Sequence, residues 1–269
     1  MKSTITNIIF KNTKTISLFL ILLSLNSFGQ TTIQDETDIN GTWTVANSPY
    51  IIEGRAVVPN GQTLTIEPGV EVRLSSSASP TPSWFDYSEG NVGVIRVQGE
   101  IIANGTPEEP ILFTRDNSGF WGTILIDENA SGTSSFSSCI IEYAKESRNV
   151  TGITSPSAFN AGISIFNNSI NFNDNILRDN INGAYIKNVG ANASFNFTNN
   201  TFFNNGTNGL VIEESTVNIT NNTFYNNSNS ASGSVSAIHS SNSDVYLVGN
   251  LIYNNDDFGI FTTNNSNVH

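Results

Sequence analysis

The stretch "NITNNTFYNN", Asn218 to Asn227, repeats "NFTNNTFFNN", Asn196 to Asn205, with eight of ten positions identical. The repeat extends in both directions. An asparagine precedes an apolar pair at Asn175, Asn200, Asn222 and Asn250, in steps of 25, 22 and 28 residues, and another asparagine follows five residues later, at Asn180, Asn205, Asn227 and Asn255. Ahead of these corners the landmarks are Ile163, Ala184, Leu210 and Ile238. The Ala184 coil carries a four-residue insertion in "NVGANA", and the longest step is explained by the polar insert "SNSASGSVS". A fixed period of this length is the signature of a repeat architecture.

Within each repeat the apolar spacing is two: Ile163, Ile165, Ile170, Phe172 and Leu177, then Leu210, Ile212, Val217, Ile219 and Phe224, then Ile238, Val245, Leu247 and Ile252. Period two marks strands with one buried face. Three short strands and three turns in each coil predict an all-β chain, a single-stranded right-handed parallel β-helix whose coils stack at about 4.8 Å. About 40 of the 269 residues are asparagine, several times the ordinary share. The reading assigns Asn175, Asn200, Asn222 and Asn250 a double duty. Each takes the left-handed backbone angle of a tight corner, and each bonds amide to amide with the coils on either side. The Asn-x-Ser/Thr matches at Asn218 and Asn221 are read as by-products of this ladder.

The N-terminal half is written in longer, less regular coils. "SPYIIEGRAVVPNGQTLTIEPGVEVRL", Ser48 to Leu74, alternates around Val57, Leu64, Ile66, Val70 and Val72, with turn signals at Pro59–Gly61 and Glu67–Gly69. "VIRVQGEIIANGTPEEPILFT" and "FWGTILI" continue it, and Ser75–Asn91 reads as an excursion between coils. Residues 30–43 are expected to cap the first coil and residues 44–269 to form the solenoid. Val268 falls where Val217 and Val245 begin a strand, so the sequence breaks off within a coil. A fragment, and self-association through an open C-terminal edge, are the expectations there.

These stretches resemble the right-handed parallel β-helix repeat family, which shares its fold with pectate lyases and polygalacturonases. "SPYIIEGRAVVPNGQTLTIEPGVEV", "GEIIANGTPEEPILFT" and "FWGTILI" are similar to secreted bacterial members without an assigned activity. The resemblance spans Trp43 to His269 and implies the fold; one fold hosts many functions.

Residues 1–29 read as a secretory signal. Lys2, Lys11 and Lys14 precede the apolar run Ile16–Leu25, and Ser27 and Gly29 occupy the −3 and −1 positions of a cut before Gln30. The run is too short to span a bilayer, so no transmembrane segment is expected after cleavage. The formal charge of −12 argues against nucleic acid as a partner. Cys139, the single cysteine, sits in the strand-like "FSSCIIEY" and reads as a small core residue.

The hydrolases of the resembled fold use clustered aspartates with a histidine and an Arg-x-Lys. Here only Asp256–Asp257 is similar, and it lies in an ordinary corner. Lyases of the fold need a basic proton abstractor and acids on calcium. Arg178 and Lys187 fall within one coil of each other, and no acidic cluster is read opposite them. No cofactor is expected, and nothing in the residues supports calcium. Alternation points Ser164, Tyr185, Val211, His239 and Phe261 outward on one sheet, with Phe166, Lys187, Glu213, Ser241 and Thr263 two positions further on. From this stripe Tyr185, Lys187, Glu213, His239 and Phe261 are taken as candidate ligand-binding residues, because sugars bind through aromatic groups and polar rims. The expected function is a secreted, non-catalytic surface, adhesion or polysaccharide-binding module, the partner being a polysaccharide or cell-surface glycan. The alternative is a polysaccharide lyase or glycoside hydrolase whose catalytic residues are unrecognised or lie outside this sequence.

Overall fold

The computed structural model describes residues 29–76, 92–144, 161–191, 195–227 and 235–269. The segment read as a signal, most of the Ser75–Asn91 excursion and the insert around Asn229 lie outside the described residues. Apart from one 3-10 turn, Val45–Asn47, the described elements are strands. They form three parallel sheets of nine strands, and consecutive strands of the chain pass from sheet I to sheet II to sheet III and back. Sheet I contains, in successive coils, Cys139–Glu142, Ile176–Arg178, Thr201–Phe203, Thr223–Tyr225 and Leu251–Tyr253. Sheet II contains Ala161–Phe166, Asn182–Lys187, Asn208–Glu213, Ser236–Ser241 and Phe258–Thr263, and sheet III contains Ile170–Asn173, Phe195–Thr198, Thr216–Thr220 and Asp244–Val248. No helix among the described residues is long and apolar enough to cross a membrane.

The register is the one that the period-two series requires. Ile163 pairs with Ala184, Ala184 with Leu210, Leu210 with Ile238 and Ile238 with Ile260. Val245 pairs with Val268. The inward side chains fill the tube as stacked columns: Phe172 on Phe197 with ring centroids 4.9 Å apart, and Phe202 on Phe224 at 4.7 Å. Aromatic stacking of this kind adds to the area term that holds coil on coil. Gly183 makes room for it, since a Cβ there would lie 2.5 Å from Cδ1 of Phe202.

Residues 30–43, expected to cap the first coil, carry three strands: Thr31–Ile33, Thr37–Asp38 and Gly41–Trp43 pair in parallel with the three strands that follow. The alternation around Val57 is out of phase by one residue. Ala56 and Val58 are the fully buried positions of Arg55–Val58, and Val57 faces outward. A small alanine takes the inward place where the pattern favoured the larger side chain.

The asparagine corners divide their labour differently from the sequence reading. The residues with positive φ are Asp174, Asn199 and Asn221, together with Gly249, each one position before a ladder asparagine; the same holds at Asp179, Asn204, Asn226 and Asn254. Asn175, Asn200 and Asn222 are not left-handed. They carry the buried amides: Nδ2 of Asn175 donates to Oδ1 of Asn200 (3.1 Å), Asn200 to Asn222 (3.0 Å) and Asn222 to Asn250 (3.2 Å). Each of these acceptor oxygens also receives the backbone N–H of the preceding ladder residue. The corner residue turns the chain, and the turn aims the next side chain along the solenoid axis.

A second ladder joins Asn180, Asn205, Asn227 and Asn255. At the third corner serine replaces asparagine. Val189 N–H donates to Ser215 Oγ, Ser215 N–H to Ser243 Oγ and Ser243 N–H to Ser266 Oγ. Cys139 occupies the ladder position one coil before Asn175. Its N–H donates to Asn175 Oδ1 (2.9 Å) and its thiol donates to Ala103 O (3.1 Å). Burial pushes this thiol far above its ordinary pKa, as a core residue requires.

Candidate functional site

The outer face of sheet II brings the candidate residues together, because parallel in-register stacking sets them one coil apart. Lys187 pairs with Glu213 in the strand register, and Glu213 with Ser241. The Glu213 carboxylate is the centre of the group. Its Oε2 accepts the Tyr185 hydroxyl in a short hydrogen bond and the Lys187 ammonium at 3.2 Å. Glu214 Oε1 lies 3.8 Å from the same ammonium. One coil further, His239 Nε2 is 3.4 Å from Thr263 Oγ1, and the imidazole is tilted against Phe261 at 5.3 Å. Phe261 in turn stacks on Phe258 at 5.1 Å. Burial lowers the pKa of His239, opposed by the charge of Glu213. The imidazole is therefore neutral near pH 7.

The stripe is graded in exposure. Tyr185, Val211, Phe166 and Leu125 form a buried apolar cluster on the outside of the sheet, and Lys187 is 7% exposed. Glu213, His239, Ser241, Phe261 and Thr263 are half-buried. Alternation gives the direction of each side chain correctly, but a period-two pattern says nothing about what lies over the outer face. The accessible part of the stripe is its C-terminal half.

Sheet I carries a charged group that the sequence reading missed. Glu142 pairs with Arg178 in the register, so an acid does stand opposite that cation. Arg178 Nε and Nη2 lie 2.7 and 2.6 Å from Glu142 Oε2, while Thr114 Oγ1 donates to Glu142 Oε1 at 2.9 Å. The Arg115 guanidinium sits 3.7 Å above the Tyr143 ring. Burial raises the pKa of Asp179 against the pull of Arg178. The signal was present in the spacing, since Glu142 and Arg178 each stand three residues beyond a ladder position, Cys139 and Asn175. Counting from Cys139 was needed to see it.

The same outward column continues as Phe203, Tyr225 and Tyr253, stacked at 5.0 and 5.3 Å with planes within 7°. Rings stacked on one another present edges to solvent, not faces. This column is a structural ridge and offers no platform for a sugar. A hollow of about 500 Å³ beside it is lined by Pro107, Pro110, Ile140 and Ile176. Asp256 and Asp257 lie in the corner before Phe258–Thr263, and no group of three or more potential metal ligands occurs among the described residues.

Three parallel sheets, with successive coils linked by amide ladders, define a parallel β-helix. Residues 37–142 match the family model described as a pectate-lyase like beta helix domain. The same three sheets run on through the later coils to Asn267–Val268, in agreement with the β-helix repeat family that the coil sequences resemble. No curated protein and no solved structure matches the chain.

Proposed function

We propose that the protein is a secreted or surface-displayed β-helix that binds polysaccharide on the outer face of sheet II without cleaving it. The observation that carries this reading is the Tyr185–Glu213–Lys187 contact. The carboxylate is already shared by a phenol and an ammonium, and this charge-neutral group fixes the base of the stripe. His239, Ser241, Phe261 and Thr263 remain as the groups that a sugar can reach, with hydroxyl and imidazole partners beside an aromatic surface. Secretion is supported by the n-region, apolar run and small-residue cleavage pattern of residues 1–29. Export of the full chain, followed by N-terminal sequencing, tests it; Gln30 is the expected first residue.

A second reading has one observation in its favour. A neutral histidine, a tyrosine, a lysine and a glutamate converge from successive coils, which are residue types able to move a proton from a sugar carbon. A panel of acidic and neutral polysaccharides, with and without calcium, separates the two. Retention of glycan without unsaturated products or new reducing ends is the expected result. Reproducible turnover lost in His239→Ala replaces the binding reading by a lyase or hydrolase.

A further inference from the structure

Three successive coils place an asparagine in mid-strand at the same register on the outside of sheet III. Asn171 pairs with Asn196, and Asn218 follows in the next coil, one residue before Ile219, which pairs with Phe197. All three are exposed. Asparagine is depleted in strands, where threonine serves better on a solvated face. The ladder asparagines offset that disadvantage through buried amide contacts at corners. These three make no side-chain hydrogen bond to any described residue, so nothing within the fold accounts for them. Two positions along the strand, Thr198 and Thr220 pair in register and add hydroxyls to the same face. No residue of this group is charged, although the chain as a whole carries −12.

We infer that the outer face of sheet III is a second binding surface, for an uncharged polysaccharide in an extended, ribbon-like conformation. The geometry supplies the argument. Parallel stacking repeats the amides at about 4.8 Å along the solenoid axis, and the hydroxyls stand about 7 Å away along the strands. A rigid, periodic and neutral array of donors and acceptors fits a ligand with the same properties. An extended glycan lying along the axis brings roughly one sugar ring to each coil, with hydroxyls that can both donate to and accept from an amide. The absence of charge in the array disfavours an anionic chain in no way by itself, but the acidic protein around it does, by repelling one at long range. A rigid array also loses little conformational entropy on binding, which favours many weak contacts over a few strong ones.

The inference rests on the polysaccharide-binding reading and adds a second face to it. The test uses the whole secreted chain and measures retention on cellulose powder, chitin powder and immobilised polygalacturonate. It compares the native protein, the triple variant Asn171→Thr/Asn196→Thr/Asn218→Thr, and His239→Ala/Phe261→Ala. Threonine favours strand, so the triple variant keeps its thermal midpoint or raises it; a structural role for the amides would lower it. The expected result is retention on cellulose or chitin that weakens about tenfold or more in the triple variant alone, as loss of several hydrogen bonds requires. Retention on the neutral powders that survives in the triple variant and falls in the His239/Phe261 variant overturns the inference and leaves the binding reading standing. Retention on polygalacturonate alone does the same. No retention on any of the three overturns both.

Discussion

Asn221 turns the chain and Asn222 stitches it: the first holds a φ of 56°, and the second, 1% exposed, carries an amide that reaches the coils on both sides. Adjacent residues of one type thus do separate work, and substitution should separate them.

Asn222→Ala removes the acceptor of Asn200 N–H, which is left buried without a partner, takes one of the two acceptors of Asn200 Nδ2, which keeps Phe172 O, and deletes the bonds that the Asn222 amide itself donates. The expected loss of stability is about 3 kcal/mol. Asn221→Gly should cost less than about 1 kcal/mol, because glycine takes the same left-handed angle. Chemical denaturation of the two variants checks the contrast; equal losses would show that the division of labour is wrong.

Gly183, in sheet II, and Gly190, in the connection that follows the same strand, differ in the same testable way. Gly183→Ala puts a Cβ 2.5 Å from both Phe202 Cδ1 and Gly209 O, so the aromatic stack or the strand has to shift. A loss of about 2 kcal/mol is expected. A Cβ on Gly190 meets nothing within 4 Å, and Gly190→Ala should be neutral. The thermal midpoint of each variant gives the answer.

One inward position is imperfect. Ser240 pairs with Ile212 on one side, is fully buried, and its Oγ finds no partner. Ser240→Ala removes an unsatisfied hydroxyl from an apolar column and should stabilise the protein by about 1 kcal/mol. A variant less stable than the parent would mean that the hydroxyl has a partner after all.

His239 makes the sheet II face sensitive to acid. Burial holds its folded-state pKa below the ordinary 6.5, so the unfolded chain takes up the proton first. Stability contributed by the neutral ring is therefore present above pH 6.5 and declines as the pH falls through that value towards the folded pKa. NMR titration of the imidazole should give a midpoint below 6.5. His239→Asn should flatten the stability profile between about pH 7 and pH 5, and an unchanged profile would assign the dependence to other groups.

Much of this molecule is legible in its sequence, for a physical reason. Stacking in register turns a one-dimensional spacing into a three-dimensional neighbour, so aligning Ile163, Ala184, Leu210 and Ile238 is enough to place Lys187 beside Glu213. The ladder contacts could be read as well. Which asparagine of each pair bends the backbone could not, because both types of duty favour the same residue. The serine ladder escaped because serine is common in turns for other reasons. The burial of Tyr185 and Lys187 escaped because alternation fixes the direction of a side chain and says nothing about its cover. Glu142 was missed as the partner of Arg178 because the repeat fades towards the N-terminus, where Cys139 and Ala144 stand in the places that asparagine holds later.

The ladder from Asn175 to Asn250 is a one-way street. Nδ2 of Asn175, Asn200 and Asn222 each donates to the Oδ1 of the asparagine one coil further on, as well as to a carbonyl of the coil before. Every Oδ1 accepts from the N-terminal side, so the amide-to-amide bonds all run in one direction along the axis and polarise one another. The two ends therefore ask for different partners. On the N-terminal side the ladder presents an acceptor, Oδ1 of Asn175, and any backbone N–H can satisfy it; that of Cys139 does. This is why the earlier coils can dispense with asparagine and follow a looser grammar without leaving a buried oxygen bare. Growth of such a solenoid by duplication of coils is thus asymmetric: a new coil inserted below Cys139 is free in sequence at this corner, whereas one inserted among the rungs has to bring an asparagine with it.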